Sequence, residues 1–251
     1  MNTFRIIVSI VCLLAIYSLS SNPLTDALKV DTISSTRTDV TFQMPDFRFT
    51  DLVLKDRHFH SIEIEDGLPS ADTGLPEVPH YAAAIAVPIG STINLSNVKL
   101  SEPRYIRNIN LAPVQNYDNP EYVFDIDEGF YQSKDVMQVY PKQTYFVTDI
   151  ATIRDYQFVI LKVNPVKYYP ATQTLEVYDN ITLTVEHEHY STNPRYNLNA
   201  KISREFETNY EHLLANYSQI RIPNPIYQEP SLLIIYGGSP SQTIINNYVA
   251  W

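Results

Sequence analysis

Residues 174–185 read TLEVYDNITLTV, and apolar and polar side chains alternate along most of this stretch. On both sides of an interruption at Asp179-Asn180, apolar side chains recur at every second position: Leu175, Val177, Ile181, Leu183 and Val185. Successive side chains of a strand point to opposite faces of a sheet. The alternation therefore predicts a pair of strands that each bury one face.

Further strands are predicted on both sides of this stretch. Residues 156–163 (YQFVILKV) are more densely apolar, which predicts a strand buried on both faces. Shorter alternating runs occupy residues 40–44, 62–65 and 93–100, and prolines and glycines separate them. Short strands divided by turn residues are typical of an antiparallel sandwich or barrel.

The pattern becomes helical after Pro194. Ser203 is a suitable N-cap, and apolar residues then follow at helical spacing: Phe206, Tyr210, Leu213, Leu214 and Tyr217. This spacing predicts one amphipathic helix that ends near Ser218. Three prolines between residues 222 and 230 predict an extended linker.

A different kind of unit is predicted from residue 231 onward. Residues 232–236 (LLIIY) are continuously apolar, residues 237–240 (GGSP) form a turn, and residues 242–251 have a helical pattern. A buried strand, a glycine turn and a helix are the usual opening of an α/β domain. One strand and one helix cannot bury each other, so we expect a second domain that is truncated at Trp251.

The first twenty residues have the pattern of a secretory signal peptide. Arg5 precedes an apolar run from residue 6 to residue 16, and the small residues Ser18 and Ser20 follow it. The run is shorter than the roughly 20 residues that a membrane span needs. An uncut N-terminal anchor is the alternative, but the small residues favour cleavage after Ser20.

Composition restricts the chemistry that this chain performs. The single cysteine, Cys12, lies inside the signal-peptide run, so the processed chain has no thiol for a disulfide, a metal site or a nucleophile. A net charge of −10 argues against a nucleic-acid partner. Residues 237–241 (GGSPS) lack the second glycine of a nucleophile elbow. We predict no catalytic residues, no cofactor and no metal.

Two groups of polar residues have a structural and a metal-binding interpretation. The pairs His58/His60 and His187/His189 each lie two residues apart on a strand, a spacing that can chelate a metal, but solvated strand surface is favoured. Asp125, Asp127 and Glu128 precede a glycine as in half of a calcium loop. The rest of that twelve-residue motif is missing, so an acidic turn is favoured.

Several segments together resemble one protein family. They are Gly74-Leu75-Pro76 with residues 81–88, residues 164–170 (NPVKYYP), residues 174–178 (TLEVY), and Phe206, Tyr210 and Asn216-Tyr217. In this order they are similar to the N-terminal propeptide of the gingipain-type cysteine endopeptidases. The resemblance covers about residues 39–221, and residues 232–251 look like the first strand and helix of the caspase-like catalytic domain.

The resemblance implies a role for particular residues. The family's propeptide packs on its catalytic domain, keeps the zymogen inactive, assists folding and is removed by cleavage at basic residues. Arg221 matches the end of the propeptide, although an ordinary surface arginine is the alternative. The matching inhibitory loop is residues 113–120, with Asn116, Tyr117 and Asp118 at its centre. It contains no Lys or Arg, unlike the loop of family members that block a basic-specific pocket, and Lys134 and Arg154 are the nearby basic alternatives.

The predicted architecture is mainly β: a jelly-roll-like antiparallel β-sandwich propeptide, then one helix and the truncated start of an α/β domain. The predicted segments are a signal peptide (1–20), an N-terminal segment (21–38), the β-sandwich (39–190), a helical propeptide C-terminus (191–221), a Pro-rich linker (222–230) and the start of a catalytic domain (231–251). The implied partner is the cognate caspase-like domain in the same chain, and the implied location is secreted or cell-surface. A free-standing secreted binding or adhesion module is the alternative function.

Overall fold

Antiparallel strand pairing dominates the protein. The computed structural model describes residues 26–116, 124–154, 156–189, 202–221, 225–229 and 246. The strands within these residues are β1 (Leu28–Ser34), β2 (Arg37–Gln43), β3 (Phe47–Leu54), β4 (Arg57–Ile64), β5 (Tyr81–Val87), β6 (Ser91–Leu100), β7 (Arg104–Arg107), β8 (Tyr145–Val147), β9 (Ala151–Ile153), β10 (Tyr156–Val163), β11 (Val166–Tyr169), β12 (Thr174–Val177) and β13 (Asn180–His189). The helices are α1 (Glu128–Tyr131), α2 (Arg204–Leu213) and α3 (Tyr217–Ile220), with a 3-10 turn at Pro170–Thr172.

Two sheets form the main sandwich. One has the order β1-β2-β13-β6, and the other has the order β5-β10-β8, with β9 also paired to β10. Apolar side chains from both sheets are buried between them, among them Phe42, Ile85, Leu161 and Val185. The rings of Phe42 and Tyr81 join the sheets, with their centres 4.9 Å apart. The alternation in the sequence therefore gives each sheet a face in the shared core, as predicted.

The strand β10 is buried on both faces, as its dense apolar run predicts. Val159 and Leu161 point into the main sandwich core. Phe158 lies on the opposite face, in a second cluster with Tyr210 and Leu214 from the C-terminal helical segment. The helix α2 thus covers the outer face of the β5-β10-β8 sheet.

A smaller core lies beside the sandwich. The sheet β11-β12-β7 contributes Tyr168, Leu175 and Val177, and α1 contributes Phe130. The hairpin of β3 and β4 packs partly buried apolar side chains against the same cluster. The interruption at Asp179-Asn180 is the point where the chain passes from β12 in this sheet to β13 in the sandwich. The fold is mainly antiparallel β as predicted, while the jelly-roll-like connectivity stays a prediction.

The four-stranded sheet begins before residue 39, which was the predicted start of the sandwich. The strand β1 pairs with β2 from Leu28↔Phe42 to Ser34↔Arg37. Leu28 and Val30 are buried in the main core because they continue its two-residue alternation. The predicted N-terminal segment therefore supplies an edge strand of the sandwich.

The C-terminal helix is broken, which corrects the prediction of one helix through Ser218. The helix α2 ends at Leu213, and α3 begins at Tyr217. Leu214 forms a parallel bridge with Ala84, and the Ala215 amide donates to the Ala84 carbonyl at 2.8 Å. The Leu214 amide still donates to the Tyr210 carbonyl, and the helix breaks at the next residue because the Ala215 amide pairs with the edge of β5 instead.

His187 is buried, which corrects its predicted place on a solvated surface. Its side chain continues the core-facing series of Ile181, Leu183 and Val185, and its exposed fraction is 2%. The Nδ1 atom lies 3.0 Å from the Ser35 carbonyl, and Nε2 lies 3.1 Å from the Thr38 hydroxyl. A carbonyl only accepts, so Nδ1 carries the proton, and burial lowers the pKa of the ring.

The other predicted histidine pair has only one exposed member. His58 is exposed, whereas His60 accepts a hydrogen bond from the Asn110 amide at 3.1 Å. The side chain of His189 lies outside the described residues. Within the described part of the chain, no helix is long and apolar enough to span a membrane. Within the same residues, no three His, Cys, Asp or Glu side chains form a group that would hold a metal ion.

Candidate inhibitory loop and processing junction

The candidate inhibitory loop rests on a base closed by two side chains. The Gln115 amide nitrogen donates to the Asp125 carbonyl at 2.8 Å, and the Asp125 backbone amide donates to Gln115 Oε1 at 3.1 Å. The Asn116 amide also donates to the Asp125 carboxylate at 3.3 Å. This reciprocal pairing ties the two ends of the loop together. Tyr117 and Asp118, like the rest of residues 117–123, lie outside the described residues.

Gly74 connects both stems of the loop. Its amide donates to the Val114 carbonyl, and its carbonyl accepts from the Asp127 amide, both at 2.9 Å. Its φ of +83° is in the left-handed region, and a Cβ there would lie 3.2 Å from the Asp127 nitrogen. Only glycine combines this backbone conformation with so close an approach. The sequence motif Gly74-Leu75-Pro76 is therefore part of the loop base.

The short helix α1 fixes the second stem. The carboxylate of Asp127 accepts from the Phe130 amide at 2.9 Å and thereby caps the helix. Glu128 pairs with Arg57 of the β3–β4 hairpin at 2.6 Å. The predicted acidic turn thus has structural partners for each of its carboxylates, since Asp125 accepts from Asn116.

Aromatic packing holds α1 against the protein. Phe130 is buried in the smaller core, and the Tyr131 hydroxyl donates to the Leu111 carbonyl at 2.9 Å. Burial raises the pKa of Tyr131, so the hydroxyl keeps its proton and remains a donor. The loop base is consequently anchored on three sides, by residues 74–75, by the β3–β4 hairpin and by the smaller core.

The candidate processing junction at Arg221 follows directly after α3. The Arg221 amide donates to the Tyr217 carbonyl at 2.9 Å. Its guanidinium lies 2.6 Å from the carboxylate of Glu207 on α2 and 4.0 Å from that of Glu211. The negative charge of Glu207 raises the pKa of Arg221. Arg221 is therefore bound to the domain through both its backbone and its side chain.

The basic alternatives to the loop lie elsewhere. Lys134 is exposed in the segment after α1. The Arg154 guanidinium lies 4.9 Å from the ring centre of Phe206 and donates to Gln228. The contacts of Arg154 thus place it with the processing junction. Of the predicted start of the catalytic domain, residues 231–251, the structure describes only Asn246, which is helical.

Sequence reasoning did not identify Gln115, Glu207 or Asn216 as organising residues. Gln115 and Glu207 are ordinary polar residues with no motif around them, so no local signal marks their role. Asn216 did carry a signal, because a polar residue interrupts an otherwise apolar face between Leu213 and Tyr217.

Comparison with known proteins identifies the class of this domain. Residues 17–217 match the family model described as Propeptide_C25. Lys-gingipain HG66 of Porphyromonas gingivalis is 27% identical in an alignment over 225 residues that covers 85% of this chain and 13% of that protein. Gingipain R1 of the same species is 22% identical in an alignment over 222 residues that covers 85% of this chain and 22% of that protein. The chain thus spans less than a quarter of the length of these relatives.

Solved structures share the fold. The complex of Porphyromonas gingivalis RgpB pro- and mature domains includes a chain that matches with a TM-score of 0.60 and 19% identity, covering 78% of this chain and 100% of that chain. A structure that addresses zymogenic latency of gingipain K from the same species matches with a TM-score of 0.54 and 24% identity, covering 64% of this chain and 92% of that chain.

The fold and the family match together define this module as a protease propeptide. More particularly, the chain belongs to the Propeptide_C25 family, and its β domain is a propeptide of the gingipain type.

Proposed function

We propose that this propeptide restrains a caspase-like cysteine protease domain carried on the same chain and assists its folding. The observation that carries the proposal is the loop base formed by Gly74, Gln115, Asp125 and Asp127. A base anchored on three sides holds both loop ends in place, and preorganisation reduces the entropy that is lost on binding. The loop is therefore suited to enter a protein cleft.

The chemistry of the loop sets the kind of cleft that it fits. Residues 113–120 contain no Lys or Arg and include the carboxylate of Asp118, and Glu121 follows directly after them. Like charges repel in a desolvated site, so this loop is a poor ligand for an acidic pocket that selects basic side chains. Tyr117 is the side chain that we assign to the pocket, with Asn116 and Asp118 beside it. The protease that fits has an apolar or aromatic specificity pocket.

The proposal also includes export of the chain and two cleavages that produce the mature protein. The signal peptide is removed after Ser20 outside the cytoplasm, and the propeptide is released by a cut after Arg221. The processed protein is then secreted or displayed at the cell surface. The solved complex of RgpB pro- and mature domains supports a complex between this propeptide and its own catalytic domain.

Replacement of the loop tests the proposal. In one variant, residues 117–123 are exchanged for a glycine-serine segment of equal length, while the base residues are kept. Inhibition of the cognate catalytic domain is expected to weaken about tenfold or more, as happens when a buried anchor is lost. Lys134→Ala is the matched control and leaves inhibition unchanged. Equal inhibition by parent and loop variant would show that the loop is not the inhibitory element.

A further inference from the structure

Glu207 connects the two sides of the processing junction. One oxygen of its carboxylate lies 2.6 Å from Nη2 of Arg221, and the other accepts from the Tyr227 hydroxyl at 2.6 Å. The Glu207 side chain is only 12% exposed, whereas that of Arg221 is 44% exposed. The hydrogen bond to Glu207 raises the pKa of Tyr227, which keeps this hydroxyl a donor. A single shielded carboxylate thus holds residues that precede and follow the Arg221–Ile222 bond.

The segment after this bond is also bound through its backbone. The Ile202 amide donates to the Ile226 carbonyl, and the Gln228 amide donates to the Ile202 carbonyl, both at 2.9 Å. These two bonds form a parallel bridge between Ile202 and Tyr227. The Arg204 guanidinium carbon lies 4.6 Å from the ring centre of Tyr227. Residues 225–229 therefore lie along the start of α2 and do not form a free linker.

We propose that Glu207 is a clasp that shields Arg221 from proteases and retains residues 225–229 on the propeptide after the chain is cut. This inference rests on the proposed processing after Arg221. Hydrolysis of the Arg221–Ile222 bond consumes one water and leaves a carboxyl group on Arg221 and an amino group on Ile222. Arg221 then stays on the propeptide, while Tyr227 belongs to the segment that leads into the catalytic domain.

The shielding follows from what a protease must bind. Proteases that recognise arginine need its side chain free to enter their pocket, and extended peptides pair with a binding protein through their backbone. The Arg221 guanidinium pairs with Glu207, and the Arg221 amide donates to the carbonyl of Tyr217, the first residue of α3. Cleavage therefore requires local opening of the junction, and the ion pair with Glu207 adds to the cost of that opening.

Retention follows from the contacts beyond the cut. The bridge to Ile202, the ring contact with Arg204 and the hydrogen bond to Glu207 all remain possible after hydrolysis. The surface formed by Ile202, Arg204 and Glu207 is thus an interface for the new N-terminal segment, and it keeps the cut propeptide attached to its partner.

Limited proteolysis of the 251-residue chain with trypsin tests the shielding. Initial cleavage rates after Arg221 are measured by mass spectrometry relative to the cut after Lys142, an exposed residue in another loop. Glu207→Gln is expected to raise the relative rate about threefold, within the range of partly exposed ion pairs. Glu211→Gln is the matched control, because its carboxylate is on the same helix but 4.0 Å from Arg221, and it leaves the rate unchanged. Equal rates in Glu207→Gln and the parent would overturn the shielding.

Retention is measured on the cut chain by size-exclusion chromatography. The fragment that begins at Ile222 is expected to co-elute with the parent propeptide, and less of it with Tyr227→Phe, which loses only the hydroxyl that bonds Glu207. This second variant leaves α2 intact if Glu207→Gln loosens the fold. Co-elution that is equal in parent and Tyr227→Phe would overturn the retention. Trypsin requires only an accessible basic residue, so these tests do not depend on the cognate protease. If both tests succeed but the cognate protease does not cut after Arg221, only the processing proposal is contradicted.

Discussion

Two side-chain amides in this protein occupy positions that the backbone of a further strand would fill. The Asn216 side chain accepts from the Ala86 amide at 2.9 Å and donates to the Ala86 carbonyl at 3.0 Å, on the free edge of β5. The Gln219 side chain accepts from the Thr32 amide and donates to the Val30 carbonyl, on the free edge of β1. Edge strands leave unpaired backbone groups, and these amides satisfy part of them.

Burial makes Asn216 the more important of the two. Its exposed fraction is 0%, so Asn216→Ala leaves the amide and carbonyl of Ala86 buried without their partner. We expect a loss of about 2–4 kcal/mol in the free energy of unfolding, measured by urea titration. Gln219→Ala is the matched control, because the same chemistry at an exposed position is worth only about 0.5–1 kcal/mol. A change of the same small size in both variants would contradict the strand-like role of Asn216.

His80 makes stability depend on pH. It lies in a cleft of about 530 Å³ with Asp72, Tyr140 and Lys162, and its Nδ1 atom is buried without a hydrogen-bond partner. Burial, assisted by the positive charge of Lys162, lowers the pKa of His80 to about 4. Between an unfolded pKa of about 6.5 and the folded value, only the unfolded chain binds the proton. The contribution of His80 to the free energy of unfolding is therefore fully present above about pH 6.5 and is lost as the pH falls toward 4.

The variant His80→Asn tests this dependence by thermal unfolding across that pH window. In the parent, the free energy of unfolding is expected to fall by about 1–2 kcal/mol across this window because of His80, and this part of the fall should be absent in the variant. The value is smaller than full linkage gives because the ring is partly solvated. The buried ring of His187 contributes a slope in the same direction, so some dependence remains. His58→Asn, at an exposed position, should keep the parent slope. An unchanged slope in His80→Asn would contradict the assignment.

At the level of elements, the strands could be predicted and the helix break could not. The run at residues 174–185 places an apolar side chain toward a core at every second position, and the run at residues 156–163 is densely apolar because β10 is buried on both faces. Both patterns are local in the sequence. The break at residues 214–216 depends on the edge of β5, which is distant in sequence. His187 was predicted on the solvated surface although it continues the alternation of Val185, because polar residues often line the exposed face of an antiparallel sheet.

The loop base shows the same limit of local information. Gly74, Gln115 and Asp125 are brought together only when the chain has folded, so their spacing carries no signal. The family resemblance indicated which residues form the candidate loop, but the structure alone shows what holds its two stems. The sequence motif at residue 74 and the acidic turn at residue 127 prove to be two halves of one element.

Gly74→Ala tests the coupling of the two stems. The left-handed φ of +83° and the short Cβ approach to Asp127 make the substitution costly, by about 1–3 kcal/mol. Faster hydrogen exchange is expected at the amides of Val114 and Asp127. In the control Gly129→Ala, the new Cβ lies in α1 and meets only the Asp127 side chain, and exchange at Val114 should stay at the parent rate. Equal exchange in the two variants would rule out the coupling.

At the level of the whole molecule, the propeptide joins its two candidate sites through the sandwich. The loop base sits on the smaller core, whereas the processing junction sits on the outer face of the β5-β10-β8 sheet. The break at residues 214–216 fastens the C-terminal segment to this sheet directly before Arg221. Folding of the sandwich therefore forms the base of the candidate inhibitory loop and also restrains the candidate processing site at Arg221.

The most direct measurement is the activity of the cognate catalytic domain on a peptide substrate when the purified propeptide is added. We expect inhibition at micromolar or lower concentration, and we expect activity to return when the propeptide is unfolded or degraded. Full protease activity in the presence of folded propeptide at micromolar concentration would contradict it.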